Sequence, residues 1–164
     1  MDRREQTCCF TGHRTIPKTE YPVVAQKLQW EIIHLIGKGV RYFQAGGALG
    51  FDTMAAQTIL RLKKFFPSIQ LILVLPCKTQ QRYWTSNDSS LYQQILRNCD
   101  DYIFISEEYT KDCMYKRNRY LVDHSKYCIC YQTKYHGGTA YTVNYAKKQH
   151  LLITNLAQKQ QRFL

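Results

Sequence analysis

The chain has 164 residues, enough for one domain with a proper core and too few for two. Lys and Arg number 23 against 12 Asp and Glu, a formal charge of +11 that favours phosphate-bearing partners without separating a nucleotide from a nucleic acid. The basic residues never gather into a run, so no basic arm or tail is expected, and the longest apolar run, "LILVL", cannot span a bilayer.

Short apolar runs rich in β-branched and aromatic residues predict strands at Thr7 to Thr11, Val40 to Ala45, Gln70 to Leu75, Tyr102 to Ser106, Tyr127 to Tyr131 and Leu151 to Thr154. Helical spacing lies between them. Pro22 to Ile36 carries Val24, Leu28, Ile32 and Leu35, and Asp52 to Phe65 carries Met54, Ala55, Ile59, Leu60 and Leu62. Further helices are expected over "LYQQILRN", "CMYKRNRYLVDHS" and "TAYTVNYAKKQ". This alternation implies an α/β fold: a Rossmann-like, doubly wound, mainly parallel sheet of six strands with helices on both faces, in a single domain over 1–164. No internal repeat, low-complexity segment or linker interrupts it.

Ligands of such sheets bind at the carboxyl ends of the strands, where loops lead into helix N-termini. Three glycine-bearing loops fall there: Thr11-Gly12-His13-Arg14, then Gly46-Gly47-Ala48-Leu49-Gly50-Phe51-Asp52, then His136-Gly137-Gly138-Thr139. Glycine lets a ligand approach the peptide N–H groups, and a helix N-terminus adds unpaired donors, so the three together favour an anion site over plain turns. The second loop is neither a Walker A loop nor GxGxxG in dinucleotide spacing. A carboxylate would repel phosphate, so Asp52 either caps the helix that begins there or takes a ribose hydroxyl.

In "CMYKRNRYLVDHS", Met114, Arg117, Asn118 and Leu121 share one face. An inward arginine needs an anion, which makes Arg117 with Asn118 a candidate side wall; the alternatives are that Arg117 reaches solvent or pairs with Asp123 or a loop carboxylate. After the third strand, Lys78, Gln81 and Trp84 are secondary candidates, with Trp84 able to stack on a purine or simply to pack. Seven cysteines include no CxxC pair and no histidine at finger spacing, so no metal site is expected, and reduced cysteines in apolar runs suit a cytoplasmic location. No serine elbow or acyl-transfer triad is defensible, and no catalytic residue is assigned.

From "CCFTGHR" through "FQAGGALGFDTMAA" and "MYKRNRYLVDHSKYCICY" to "GGTAYTVNYA", the chain resembles the SLOG superfamily, the Rossmann-like group that joins Smf/DprA proteins to the LOG phosphoribohydrolases. It is most similar to the small YpsA-like members. The resemblance implies a nucleotide-type ligand held between the glycine loops, with Arg117 at the position of the LOG arginine. It also exposes a departure. LOG enzymes use a glutamate just after the last glycine loop, where this chain has Tyr141 and Asn144, and no Asp or Glu follows Asp123. An enzyme reading would need Asp52 or Asp123 instead.

The expectation is therefore a cytoplasmic domain that binds or senses a nucleotide or a derivative such as an ADP-ribose or NAD-like compound. The alternatives are a nucleoside 5′-monophosphate phosphoribohydrolase and a DprA-like binder of single-stranded DNA. The expected ligand-binding set is Thr11, Gly12, His13, Arg14, Gly46, Gly47, Gly50, Asp52, Arg117, Asn118, Gly137, Gly138 and Thr139, with no cofactor beyond a nucleotide ligand. Nucleic acid stays open as a partner, a membrane does not, and apolar helix faces could support a homodimer.

Overall fold

The computed structural model describes residues 2–157. A short 3-10 turn at Arg3–Gln6 precedes six strands alternating with five α-helices: β1 Thr7–Gly12, α1 Tyr21–Gly37, β2 Tyr42–Ala45, α2 Phe51–Leu62, β3 Gln70–Cys77, α3 Ser86–Asn98, β4 Asp101–Ser106, α4 Cys113–Asp123, β5 Tyr127–Tyr131, α5 Gly138–Lys148 and β6 Leu152–Asn155. All pairings are parallel, in the order β4-β3-β2-β1-β5-β6. This is the α/β architecture expected from the alternation of short apolar runs and helical spacing.

The strands read as nearly continuous apolar runs because helices cover both faces of the sheet. On one side Cys8, Phe10, Phe43, Leu71, Leu73 and Leu75 meet Leu28 and Ile32 of α1 and Met54, Ala55 and Ile59 of α2. On the other, Cys9, Ile72, Val74, Cys128 and Cys130 meet Leu121 and Val122 of α4 and Val143 and Ala146 of α5. The seven cysteines are free, and six of them are buried, where a reduced thiol packs as a small hydrophobe. No helix among the described residues is long and apolar enough to cross a membrane.

Element boundaries move where polar residues do structural work. The helix expected over "LYQQILRN" begins earlier, at Ser86, because Thr85 accepts the Asp88 N–H at 3.2 Å and caps a first turn made wholly of polar residues. β3 runs on to Cys77, whose register partner in β4 is Ser106. The second helix stops at Leu62 rather than Phe65.

The chain steps outward from β1 to β4, and α4 then carries it back across the opposite face to β5, on the free side of β1. β1 and β5 run in register, Gly12 beside Tyr131, and the connections that follow them diverge to opposite faces of the sheet. That divergence is the topological switch point, where an open α/β sheet leaves a crevice at its carboxyl edge.

Candidate functional site

Two of the three glycine loops lock together before any ligand is considered. Gly12 ends β1 directly against Phe51, and a Cβ there would lie 2.5 Å from that ring's Cγ. The Phe51 ring is fully buried, stacked on Tyr131 at 6.2 Å and set edge-on to Phe10 at 6.4 Å, so it cannot yield. Gly50 has φ +77° and presses on the Arg14 carbonyl, while the Phe51 N–H donates to the His13 carbonyl at 3.1 Å. The N-terminus of α2 is thus partly closed by the β1 loop. Gln80 donates to the Gly47 carbonyl at 3.3 Å, holding the remainder of the second loop.

Gly46 sits between the only two buried charges in this region. A Cβ on it would be 2.5 Å from Arg117 Nη1 and 2.9 Å from Asp52 Oδ2, so any other residue would have to displace one of the two charged groups. Arg117 is 5% exposed; its Nη1 donates to the Gly46 carbonyl and its Nε to Asn118 Oδ1 at 2.7 Å, with Nη2 3.7 Å from Met114 Sδ. It therefore neither reaches solvent nor pairs with Asp123, which accepts the Tyr145 hydroxyl at 2.6 Å near the far end of α4. Asp52 is 7% exposed and accepts the Ala48 N–H at 3.2 Å; the cap position itself is Gly50. Burial holds the Asp52 carboxyl above its ordinary range, with Arg117 pulling the other way, and burial likewise lowers Arg117.

The third loop differs. A Cβ on Gly137, whose φ is +92°, or on Gly138 would meet nothing within 4 Å. The first intrahelical bond of α5 is Tyr141 N–H to the Gly137 carbonyl, which leaves the N–H groups of Gly138, Thr139 and Ala140 ahead of the ladder. Gly138 and Thr139 border a cleft of about 370 Å³. Thr11, Gly12, His13, Arg14, Asp52, Arg117, Asn118, Gly137, Gly138 and Thr139 all line it, and Gly46, Gly47 and Gly50 do not. Ten of the thirteen expected residues thus share one concave surface, while the other three shape the loop behind it.

Polar groups of the cleft are arranged for an anion. Asp52 is its single acidic side chain, against Arg14, Lys134 and Arg117 and the imidazoles of His13 and His136. Thr11 and Thr139 are each 8% exposed, and neither hydroxyl has a hydrogen-bond partner among the described residues. His13 Nε2 accepts the Thr133 N–H at 2.9 Å, which leaves the ring proton on Nδ1 as a free donor. Burial and then the charge of Lys134 lower the His13 pKa and favour this neutral form. Lys134 escapes the sequence pattern because a lone loop lysine reads as a solvated charge; its position three residues before the Gly137-Gly138 pair is the only signal.

Of the secondary candidates, Trp84 packs edge-on against Tyr92 at 5.4 Å and belongs to the core margin. Asp123 lines a separate cavity with Gln44 and Arg3, away from the glycine loops. Among the described residues no group of three or more His, Cys, Asp or Glu is placed to hold a metal ion.

A parallel sheet with a charged crevice at the switch point defines a Rossmann-like protein with a candidate cleft between the loops after β1, β2 and β5. Residues 9–157 match the YspA SLOG family (YpsA), and the chain belongs to that family. It is 34% identical to the uncharacterized SPbeta prophage-derived protein YoqJ of Bacillus subtilis (strain 168), over 76% of this chain and 81% of that protein. It is 29% identical to a UPF0398 protein of Halalkalibacterium halodurans, over 77% and 68%. Its fold is shared with DNA processing protein A from Helicobacter pylori, at a TM-score of 0.68 and 20% identity, covering 96% of this chain and 68% of that one; that structure concerns a single-stranded DNA binding mode. DprA from Streptococcus pneumoniae matches at a TM-score of 0.65 and 16% identity, where this chain covers half of its neighbour.

Proposed function

We propose that the protein binds a nucleotide or nucleotide derivative, such as an ADP-ribose or NAD-like compound, by its phosphate in the cleft. One observation carries this reading: the open N-terminus of α5 borders the same 370 Å³ cleft as Thr11 and Thr139, whose hydroxyls have no hydrogen-bond partner among the described residues. Hydroxyls and helix N-terminal amides that share one cleft and are not spent on protein partners are free to donate to a ligand that accepts hydrogen bonds. In the bound state the Gly138, Thr139 and Ala140 N–H groups donate to phosphate oxygens, and Arg14 and Lys134 neutralise the charge. His13 Nδ1–H supplies one further donor, and the Asn118 amide is free for a ribose hydroxyl.

The same geometry argues for binding over turnover. Asp52 is the only carboxylate of the cleft, it is buried with its pKa raised, and its Oδ2 is committed to Ala48. Isothermal titration with AMP, ADP, ATP, ADP-ribose and NAD tests the proposal. Saturable binding of one nucleotide class that persists at moderate salt supports it; no binding of any of them would end it.

A second reading, single-stranded nucleic acid, has its own observation. Tyr83 at 89% exposure, Tyr109 at 65% and Tyr135 at 93% stand on the loops after β3, β4 and β5, at the same carboxyl edge, beside Arg82, Lys111 and Lys134. Exposed aromatics interleaved with basic residues suit stacking bases along a neutralised backbone, and the fold is that of the H. pylori DNA processing protein A. Oligonucleotide affinity that collapses as salt rises, with no mononucleotide binding, would favour this reading over the first.

A further inference from the structure

We propose that Tyr115 and Tyr141 form a stacking platform for the base of the bound nucleotide. This rests on the nucleotide reading of the cleft. Tyr115 lies in the first turn of α4 and Tyr141 in the first turn of α5, and their rings meet edge to face with centroids 4.7 Å apart and planes 71° apart. The same turns supply the wall of the cleft: Met114, Arg117 and Asn118 from α4, Gly138 and Thr139 from α5. The pair therefore flanks that wall without lining the cleft itself, within one helical turn along each helix of the groups that would hold phosphate and ribose.

Inside the cleft a base finds no comparable surface. Apart from the two imidazoles, its only aromatic lining residue is Phe10, which is 1% exposed and committed to the core. Both tyrosines of the pair remain open to solvent, and among the described residues neither hydroxyl hydrogen-bonds to a protein group. Buried or tethered tyrosines elsewhere differ: Tyr131 donates to Glu20 and Tyr145 to Asp123. Two exposed aromatic rings held in contact beside an anion site have the chemistry of a base platform, since every base offers a π-face and stacking tolerates sequence. Base-edge readout is weak by comparison. Asn118 has its carbonyl oxygen engaged by Arg117 Nε, leaving a single amide group near the mouth. The ligand class is accordingly a nucleotide selected over a sugar phosphate by its base, with little preference among bases.

Titration calorimetry of the full chain with ADP, ribose 5-phosphate and pyrophosphate separates this proposal from the cleft reading beneath it. Tyr115→Ala and Tyr141→Ala should each weaken ADP by about 5- to 150-fold, the scale of one base–aromatic stack, and leave ribose 5-phosphate and pyrophosphate unchanged. Tyr115→Phe and Tyr141→Phe should keep wild-type affinity for all three, and GDP and CDP should bind like ADP. If both alanine variants bind ADP as the wild type does, or lose ribose 5-phosphate in equal measure, the platform is refuted while the cleft stands. If the wild type binds none of the three probes, both proposals fall.

Discussion

Replacing Arg117 with methionine keeps an unbranched stem on α4 and removes the guanidinium that ties that helix to the loop after β2. The lost contacts are the bonds to the Gly46 carbonyl and Asn118 Oδ1. Asp52, across Gly46, loses its nearest buried cation, although the two make no direct ion pair among the described residues. At 5% and 7% exposure neither charge can be rescued by solvent. Removing one member of such a couple costs about 3–5 kcal/mol, because the other charge is left uncompensated. In a domain of this size that lowers Tm by about 6–20 °C. The loss should also depend on pH. The folded Asp52 carboxyl lies above its ordinary 3.8, so the folded chain holds that proton longer than the unfolded one. The stability this contributes is complete below 3.8 and is lost as pH rises through the raised value. Without Arg117 the raised value climbs further, so Arg117→Met should be mild in acid and severe toward neutral pH. In an Asp52→Asn background the same substitution should cost less and lose its pH dependence. Urea unfolding of the four proteins from acid to neutral pH measures this. A penalty below about 1 kcal/mol, the scale of an exposed ion pair, or one equal at every pH in both backgrounds, would refute the reasoning.

Two glycine substitutions should separate shape from binding. Gly12→Ala drives a methyl into the buried Phe51 ring and should destabilise by about 1–3 kcal/mol in chemical denaturation, whereas an unchanged midpoint would contradict the interlock of the first two loops. Gly138→Ala meets open space at an ordinary φ and should stabilise by about 0.4–1 kcal/mol while weakening nucleotide binding in calorimetry; unimpaired binding would count against the α5 N-terminus as the phosphate seat. Ser125 is 1% exposed and its Oγ has no partner among the described residues, so Ser125→Ala should raise stability by about 1 kcal/mol, and a fall in Tm would reveal a hidden partner. In an NMR titration His13 should lose its proton below 6.5, and Lys134→Gln should move the midpoint upward; a midpoint unmoved by Lys134→Gln would refute the pairing of their charges. Because the His13 pKa is depressed in the fold, its contribution to stability is present above 6.5 and lost as pH falls through the lowered value.

The fold was legible wherever burial dictates composition. "CCFT", "LILVL" and "YCICY" are apolar on both faces because helices cover both faces, and the helical spacing of Val24, Leu28, Ile32 and Leu35 marks a single buried stripe. The start of α3 was hidden because Ser86 to Ser90 is polar throughout and reads as loop; the Thr85 cap with Asp88 three residues on is the sign to have weighed. At the site, the parallel topology alone gathers the three glycine loops at one edge. Which glycines face a ligand could not be read, because Gly12, Gly50 and Gly138 differ only in what lies beside them: a phenylalanine ring, a backbone carbonyl and open space. The helical face of Arg117 left an inward path and a path to solvent both open; the structure buries it, and its partner is a carbonyl 71 residues away in sequence, which no local pattern encodes.

The cleft at the β1/β5 switch point is tested most directly by a titration of the isotopically labelled protein with ADP-ribose, following backbone amide shifts. Binding as proposed predicts saturable shifts concentrated at Gly12, His13, Gly138, Thr139 and Ala140, with those of Gly46 and Gly47 smaller because that loop lies behind the cleft wall. Saturable shifts centred elsewhere, or none at all, would contradict it.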